Sequence, residues 1–546
     1  HIPSGNKVLT GDDDLDFVVP ARMPVYGMRR YNAANAIEGL FGLGWSTLWD
    51  TRLFLHRPDV LGEDDDLAVH ALLDEQGRWL PLPDLAPGQR HHLAQEGLTY
   101  ARLDSGHHLL MRDDGLVLDF GVPVDPGGTQ VLALQCVEDP NTQRHFLRRD
   151  DRGRLVRLTT NCGQQVDFHY SAAHPARPER VTFRPAGHTG EPLLLASYAY
   201  TAQGQLSEVR DALNQLTRQF GYTAQGWMNF QRLSSGLEVR YQWSHFEQVA
   251  QANQVNQAHL SDQPGHWRVT GWQTSLGEQV ELTVDVAAGH ARAETRGAGL
   301  AGPRSEQWWW DADLRVQRYA DALDQQTELT WHPEQRQLLA LHAPGGAYCT
   351  FEYDERGNLS TVRDPLGRCT HTQWHEQLDR PLSRTSPDGS TQQWTYDEVG
   401  NLLSATYQPA PSDAAPPELV ERWVHDEHGQ VVAHTDVRGG TQFQAYTSHG
   451  QVRRFMDCSG HSTTMEWGER GELLTERDAA GRVTQWRCDA LGQPLMARLP
   501  DGSEQHWRWS EAGQLLASVS ANPQGQSNGD QRRYAYNPLG QLMRQV

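Results

Sequence analysis

One phrase recurs along this chain at a nearly fixed interval, and that interval limits what the chain can fold into. Tyr353-Asp354-Glu355-Arg356-Gly357-Asn358-Leu359 returns as Tyr396-Asp397-Glu398-Val399-Gly400-Asn401-Leu402. Aligned on the glycine, the column runs through positions 204, 226 and 247, then 314, 335, 357, 378 and 400, then 429, 450, 471, 492 and 513, and finally 540. Inside each run the step is 21 or 22 residues, and 10 of the 14 positions are Gly. Four residues earlier, 12 of the 14 are aromatic, from Tyr200 and Tyr222 to Trp509 and Tyr536, with His425 and Cys488 as the exceptions. Aromatics make up only 9% of the chain, so the column is not an accident of composition. Two residues after the column, 11 of the 14 positions are large and apolar, such as Leu359, Leu402 and Val431.

A second turn signal falls half a period later, in Asp364-Pro365-Leu366-Gly367, Pro387-Asp388-Gly389, Asp457-Cys458-Ser459-Gly460, Asp478-Ala479-Ala480-Gly481 and Pro500-Asp501-Gly502. Gly supplies the positive φ that such turns need, and Asp and Pro pre-set the flanking positions. The arms between turns alternate, as in Thr391–Tyr396, where Trp394 and Tyr396 share a face. Period two is a strand signature, and helical stripes are absent from the array. One unit is therefore one β-hairpin, and the array is an all-β, long antiparallel meander. Fourteen units predict about 28 strands, a ribbon on the order of 130 Å wide at about 4.8 Å per strand. Twisted open sheets rarely pass about ten strands without curling or splitting. The ribbon is expected to coil or close, and a single coiled layer of that width encloses volume.

The array is expected to cover residues 136–546, with degenerate units near Gly153 and Tyr170. Insertions interrupt it near 248–302, where the polar run Gln248–Gln263 is a candidate short helix, and at 407–418 and 520–531, which read as surface loops. Residues 1–135 lack the repeat and read as a separate N-terminal β region, with strands at Leu109–Met111 and Leu116–Phe120.

Composition narrows the function classes. Asp and Glu number 69 against 48 Lys and Arg, a formal net charge of −21, which argues against nucleic acid as the general partner. The 18 Trp, 16 Tyr and 13 Phe exclude a disordered chain. No stretch of about 18 apolar residues marks a membrane span. Six scattered cysteines without CxxC spacing exclude a disulfide scaffold. Cys349 and Cys369 lie one repeat apart and could face each other across strands, but two reduced buried thiols is the simpler reading. The chain starts at His1 without a signal segment and reads as a fragment boundary or processed end. Val546 closely follows a repeat motif, so the C-terminus also reads as cut.

The YDxxGNL phrase at this step resembles the YD repeat of Rhs proteins, found also in teneurins and insecticidal toxin complexes. Gly5-Asn6-Lys7-Val8-Leu9, Asp16-Phe17-Val18-Val19-Pro20, Arg30-Tyr31-Asn32 and Gly42-Leu43-Gly44-Trp45-Ser46 resemble, in that order, the opening of the bacterial Rhs core. The resemblance implies a hollow β-cocoon that encloses a C-terminal toxin domain, released by an aspartyl autoprotease segment. It implies as partners an N-terminal PAAR-type tip domain on a VgrG-type type VI secretion spike, a chaperone and an immunity protein. It also implies residence in the bacterial cytoplasm before export, then delivery into a target cell. The family's terminal DPxGL-type protease signature is absent. Asp364-Pro365-Leu366-Gly367 is similar but sits mid-array and reads as a turn. Protease, toxin and tip are thus expected outside these residues, and this region is expected to be a shell in interbacterial antagonism, not an enzyme. The alternative is a cell-surface or extracellular array that binds carbohydrate or protein.

No residue is assigned a catalytic, cofactor-binding or metal-binding role. Asp12-Asp13-Asp14-Leu15-Asp16 and Asp64-Asp65-Asp66 lack the spacing and Gly of a calcium loop and read as solvated acidic turns. His91-His92 and His107-His108 are neighbours that point to opposite faces of a strand, so neither pair is expected to make two metal bonds. No GxxxxGK[ST], HExxH or GxSxG occurs. The aromatic column reads as the cross-strand ladder that keeps the hairpins in register rather than as a stacking platform for sugars or bases.

Overall fold

The repeating turn is closed by its own aspartate. Asp354 Oδ1 accepts the backbone N–H groups of Arg356 and Asn358, and its Oδ2 accepts Asn358 Nδ2. Gly357 N–H donates back to the Asp354 carbonyl at 3.0 Å. Gly357 has φ +91°, a left-handed value that only glycine adopts without strain. The half-period turn uses the same device: Asp364 Oδ1 accepts from Leu366 and Arg368, and Oδ2 from Arg368 Nε. Arg482 and the turn N–H groups keep Asp478 below the usual carboxylate range.

The structure, a computed structural model, describes residues 1–10, 14–35, 37–56, 70–123, 130–246, 266–297, 299–412 and 417–546. The chain is all-β, and one antiparallel sheet of 39 strands runs from Arg90–Leu93 to Leu542–Gln545. Consecutive strands pair in chain order throughout, apart from Val131–Ala133, which belongs to a four-stranded sheet with Trp79–Leu82, His70–Leu73 and Arg52–Phe54. The count exceeds the sequence expectation because strands without the aromatic column, from Arg90 through Arg184, join the same ladder. Most of the stretch read as an insertion near 248–302 is also ladder: His266–Thr274, Gln279–Asp285 and His290–Arg296 are strands. The candidate helix at Gln248–Gln263 lies outside the described residues. The stretch 520–531 is not an open loop. Strands Leu515–Ala521 and Ser527–Tyr536 meet through a turn closed by Gly525 N–H on the Asn522 carbonyl.

The ladder aromatics bind strands through their polar tips. Trp374 Nε1 donates to the Leu359 carbonyl, Tyr396 Oη to Pro381, Tyr446 Oη to Val431, Trp467 Nε1 to Val452 and Trp509 Nε1 to Pro494, at 2.7–2.9 Å and always fifteen residues back. Each ring also opposes the first residue of the next strand across a bulge, as Trp374 opposes Pro381. One side chain therefore ties three consecutive strands, and the bulge adds twist.

A sheet twisted at every hairpin cannot stay flat, and this one winds over itself. Arg356 Nη2 pairs with Asp113 Oδ1 at 3.0 Å, and Asp379 N–H donates to the Asp113 carbonyl. Asn141 and Asn401 exchange side-chain hydrogen bonds at 3.2 and 2.8 Å. His188 Nδ1 meets Glu469 Oε1 at 2.9 Å, and Arg470 Nη1 donates to the Leu194 carbonyl. These contacts advance together along both stretches, so a second coil seats its column turns on the half-period turns of the first. The contacting turns lie about 19 to 23 strands apart in the sheet, which at about 4.8 Å per strand makes one coil roughly 100 Å around and 32 Å across. The sheet is not a closed barrel, because Arg90–Leu93 and Leu542–Gln545 each pair on one side only.

The N-terminal segment fills the first coil. Its Tyr31, Phe41, Trp45 and Trp49 form one buried cluster with Phe168, Val181, Phe183, Tyr198, Phe220 and Met228 of the coil. A short segment that reaches side chains from Phe168 to Met228 at once sits on the concave side of the sheet. Residues from Tyr100 and Leu110 through Leu158 join the same core. By contrast, among the described residues from Gln326 to Trp509 the buried ones are Ala340, Thr361, Ser390 and Ala497, so the second coil is a single layer.

Leu314 stands at a column position and holds φ +62°. A β-carbon there costs about 1–2 kcal/mol, and glycine's greater unfolded freedom returns part of it. Leu314→Gly is expected to stabilise the chain by roughly 0.5–1 kcal/mol, read as a higher melting temperature. A lower melting temperature would contradict the strain at this turn.

Candidate functional site

Residues that oppose each other directly across strands share a face, so the pairing assigns every side chain to a side. Trp394 opposes Ala405 and Tyr396 opposes Leu402, whereas Gln393 opposes Thr406 and Thr395 opposes Ser404. The aromatic column lies on the face that the N-terminal segment covers in the first coil, where Tyr31 and Tyr222 sit 6.5 Å apart and Tyr222 Oη receives Trp45 Nε1. The same face continues, uncovered by that segment, through the second coil.

This face carries little formal charge. From Gln326–Trp331 to Glu504–Trp509, outside the bulge positions, its charged side chains are Arg384, Glu421 and Glu476. The opposite face carries Arg363, Arg422, Arg454, Arg477, Arg487, Arg498 and Arg508 beside Glu328, Glu352, Glu466 and Glu504. The acidity is concentrated instead at the turns, in Asp354, Asp397, Asp426 and Asp489 on one edge and Asp364, Asp436, Asp457 and Asp478 on the other. The acidic net charge thus rings the coil edges and leaves the concave wall aromatic and amide-rich.

A second aromatic column runs beside the first, six residues before the turn position: Tyr198, Phe220, Tyr241, Trp308, Phe351, Trp394, Trp423, Trp486, Trp507 and Tyr534. Alternation within a single arm shows only that Trp394 shares a face with Tyr396. Aligning the units on the glycine and reading two positions further back would have exposed it. Trp486 and Trp507 stack at 5.9 Å with planes 13° apart, and Trp423 stacks on His434 at 5.1 Å. None of the fifteen-residue ladder bonds uses this column.

The acidic run near the N-terminus is not a solvated turn where it is described. Asp14 is 3% exposed, and Asp16 accepts a two-pronged bond from buried Arg29, at 2.6 Å from Nε and 2.8 Å from Nη2. Tyr198 Oη donates to the same carboxylate at 2.9 Å, and the guanidinium lies 4.8 Å from the Trp45 ring. Burial opposes the charge on Arg29, but Asp16 outweighs it and the guanidinium is held firmly protonated. The pair is internal to the N-terminal segment and is tied to the first coil by Tyr198, and removing one partner leaves a buried charge at a cost of about 3–5 kcal/mol. Asp12, Asp13 and Asp64–Asp66 lie outside the described residues.

The histidine pairs separate as alternation requires. His91 opposes Tyr100 while His92 bonds Thr99 Oγ1. His107 meets Asp119, and His108 turns inward to Tyr100 Oη at 2.8 Å. Tyr100 Oη also contacts His70 Nδ1 at 3.2 Å, and His70 Nε2 approaches Asp84 at 3.7 Å, so the Tyr100 hydroxyl couples the four-stranded sheet to the 39-stranded one. Among the described residues no three His, Cys, Asp or Glu side chains assemble as a metal site. All six cysteines are free. Cys349 opposes Leu341, and Cys369 opposes Arg363, so the two do not face each other. Asp364 serves its turn and no other group. A cavity of about 740 Å³ opens at the seam between coils, lined by Pro20, Gln164, His188, Arg453, Trp467 and Glu469 among others. No described helix is long and apolar enough to cross a membrane.

Residues 1–80 match a family described as a domain of unknown function (DUF6531), and residues 353–391 and 469–504 match the family described as RHS Repeat. The chain is 29% identical to Double-stranded DNA deaminase toxin A of Burkholderia cenocepacia over 57% of its length, which is 19% of that toxin. It is 27% identical to Toxin protein Tse5 of Pseudomonas aeruginosa over 66% of its length, which is 31% of that toxin. The chain thus spans between a fifth and a third of these curated relatives. Among solved structures, the crystal structure of TcdB2-TccC3-Cdc42 aligns with 85% of this chain and 27% of its own, at 14% identity and a TM-score of 0.34. A score that low carries no weight for the arrangement of the coils.

Burial, with Arg102 and His70 adding to it, holds His108 down to about 4 against an ordinary value of 6.5. The unfolded chain takes up this proton near 6.5 and the folded chain only near 4. Stability is therefore full above about pH 6.5 and is lost as pH falls toward 4. His70 shifts the same way, while Asp84 opposes the shift at both histidines. The melting temperature is expected to drop from about pH 7 to pH 5 more steeply in the native chain than in His108→Gln. Parallel curves would rule this out.

Proposed function

We propose, from the premise that this chain is a bacterial Rhs/YD-repeat protein, that it is the wall of a toxin shell and encloses a toxin domain borne elsewhere on the full-length protein. The observation that carries this reading is the second coil. It is a one-layer wall, roughly 32 Å across, whose concave face is uncovered and nearly free of charge. Wall side chains take about 5 Å on each side, which leaves roughly 20 Å clear. That space accepts polypeptide in extended or partly folded form.

The wall needs no chemistry of its own in this role. Its turns consume their aspartates, its ladder consumes the tips of its aromatics, and the buried ion pair braces the N-terminal segment that fills the first coil. Enclosure by itself keeps a toxic activity away from the producing cell. The release protease, a PAAR-type tip on a VgrG-type spike, a chaperone and an immunity protein belong to the full-length protein in this reading. So do the bacterial cytoplasm before export and delivery into a target cell thereafter.

The test is protection of the cargo. Full-length protein with an inactivated toxin domain is purified under native conditions and treated with protease, and intact masses are recorded before and after denaturation. The expected result is a toxin fragment that stays with the shell and resists digestion until the shell is unfolded. A toxin domain digested as readily as an exposed one would sink the shell reading and favour the surface-binding array.

A further inference from the structure

The two aromatic columns do different work, and the first coil shows what the second column is for. The column four residues before the turn spends its polar tips on backbone carbonyls, so it holds the hairpins together. The column six residues before the turn makes none of these ladder bonds, and the N-terminal segment meets it ring by ring, while at Tyr222 it reaches the first column as well. Phe41 lies 4.6 Å from Tyr198, Trp45 lies 4.9 Å from Phe220, Arg29 sits 5.7 Å over the same Phe220 ring, and Lys7 Nζ lies 4.7 Å over Tyr241. Each of these wall rings is met by a ring or a cation from the inserted segment.

In the second coil the same column continues as Trp394, Trp423, Trp486 and Trp507, and the N-terminal segment does not reach it. Trp486 Nε1 is buried without a hydrogen-bond partner. The surrounding wall carries few charges to compete for a cation, and an aromatic face attracts one through its quadrupole, most strongly when it is Trp. Rings also accept other rings edge-on or offset.

We infer that this column is a docking track for an extended polypeptide that presents arginine and aromatic side chains, supplied by the enclosed cargo. The inference rests on the shell reading and deepens it. The interface in the first coil supplies the template: the same face, the same register and the same pairing of wall ring with inserted ring or cation. Docking through spaced rings, with no continuous apolar groove, holds a chain at many weak points and lets it leave once the shell opens.

The test uses the full-length particle with an inactivated toxin. The photo-crosslinker p-benzoylphenylalanine replaces Trp394 or Trp507 on the track, or Thr395 or Arg508 on the opposite face. A further replacement at Thr372, a track position without a ring, disturbs no stacking and guards against misfolding at the Trp sites. Track positions are expected to capture cargo peptides enriched in arginine and aromatic residues, and the opposite face to capture none above background. Equal capture from both faces, or capture confined to cargo segments lacking such residues, would overturn the docking track. Protease protection of the cargo is measured on the same samples. A protected cargo that the track does not capture refutes this inference alone, whereas an unprotected cargo refutes the shell reading beneath it.

Discussion

The winding of this protein depends on a hydrogen bond from an aromatic tip to a carbonyl fifteen residues back. A cross-strand ring pair alone would join two strands. Because Trp374 Nε1 reaches Leu359 while its own residue opposes Pro381 across a bulge, each ring clamps three strands and fixes the bulge that bends them. Repeated along the array, bulge and clamp add the same bend at most hairpins, and at His425 and Cys488 the bulge is kept without the clamp. The ribbon therefore meets itself after about 19 to 23 strands, and turns closed by aspartate supply a uniform edge on which the next coil rests.

The same device separates structure from function on one face. Residues four before the turn are committed to the wall. Residues six before it are committed only where the N-terminal segment arrives. In the first coil that segment buries Tyr31, Trp45 and the Arg29–Asp16 pair and makes a conventional core. In the second coil nothing described performs that task, and the wall stays one layer thick. Charge follows the same division, since the turns hold much of the acid and the concave wall holds little.

Much of this was legible in the sequence because the repeat is local. The Tyr-Asp-x-x-Gly unit contains its own turn chemistry, its own strand period and its own ladder ring, so hairpin and meander follow from residues within 21 positions. The winding was legible only as a necessity of width. The contacts that realise it, such as Asn141 with Asn401, join residues 260 apart with no periodic signal. Asp16 was misread for a related reason. Its acidic neighbours suggest solvent, and only the distant Arg29 and Tyr198 explain why it is buried. The strands from His266 to Arg296 were missed because they keep the alternation but drop the aromatic-to-glycine column that marked the others.

The central claim is that the second coil seats on the first in one register. Asn141 and Asn401 meet side chain to side chain at 2.8 Å across the seam. The direct measurement is crosslinking of the double variant Asn141→Cys and Asn401→Cys, with the six native cysteines replaced, by a short thiol-to-thiol reagent such as dibromobimane, because two cysteines in place of the paired amides stand too far apart for a direct disulfide. The account predicts a crosslink between positions 141 and 401, found by peptide mapping of the native protein and lost when either cysteine is moved one turn along its edge. Failure to form it in well-folded protein, or equal crosslinking from the neighbouring turns, would contradict the wound sheet.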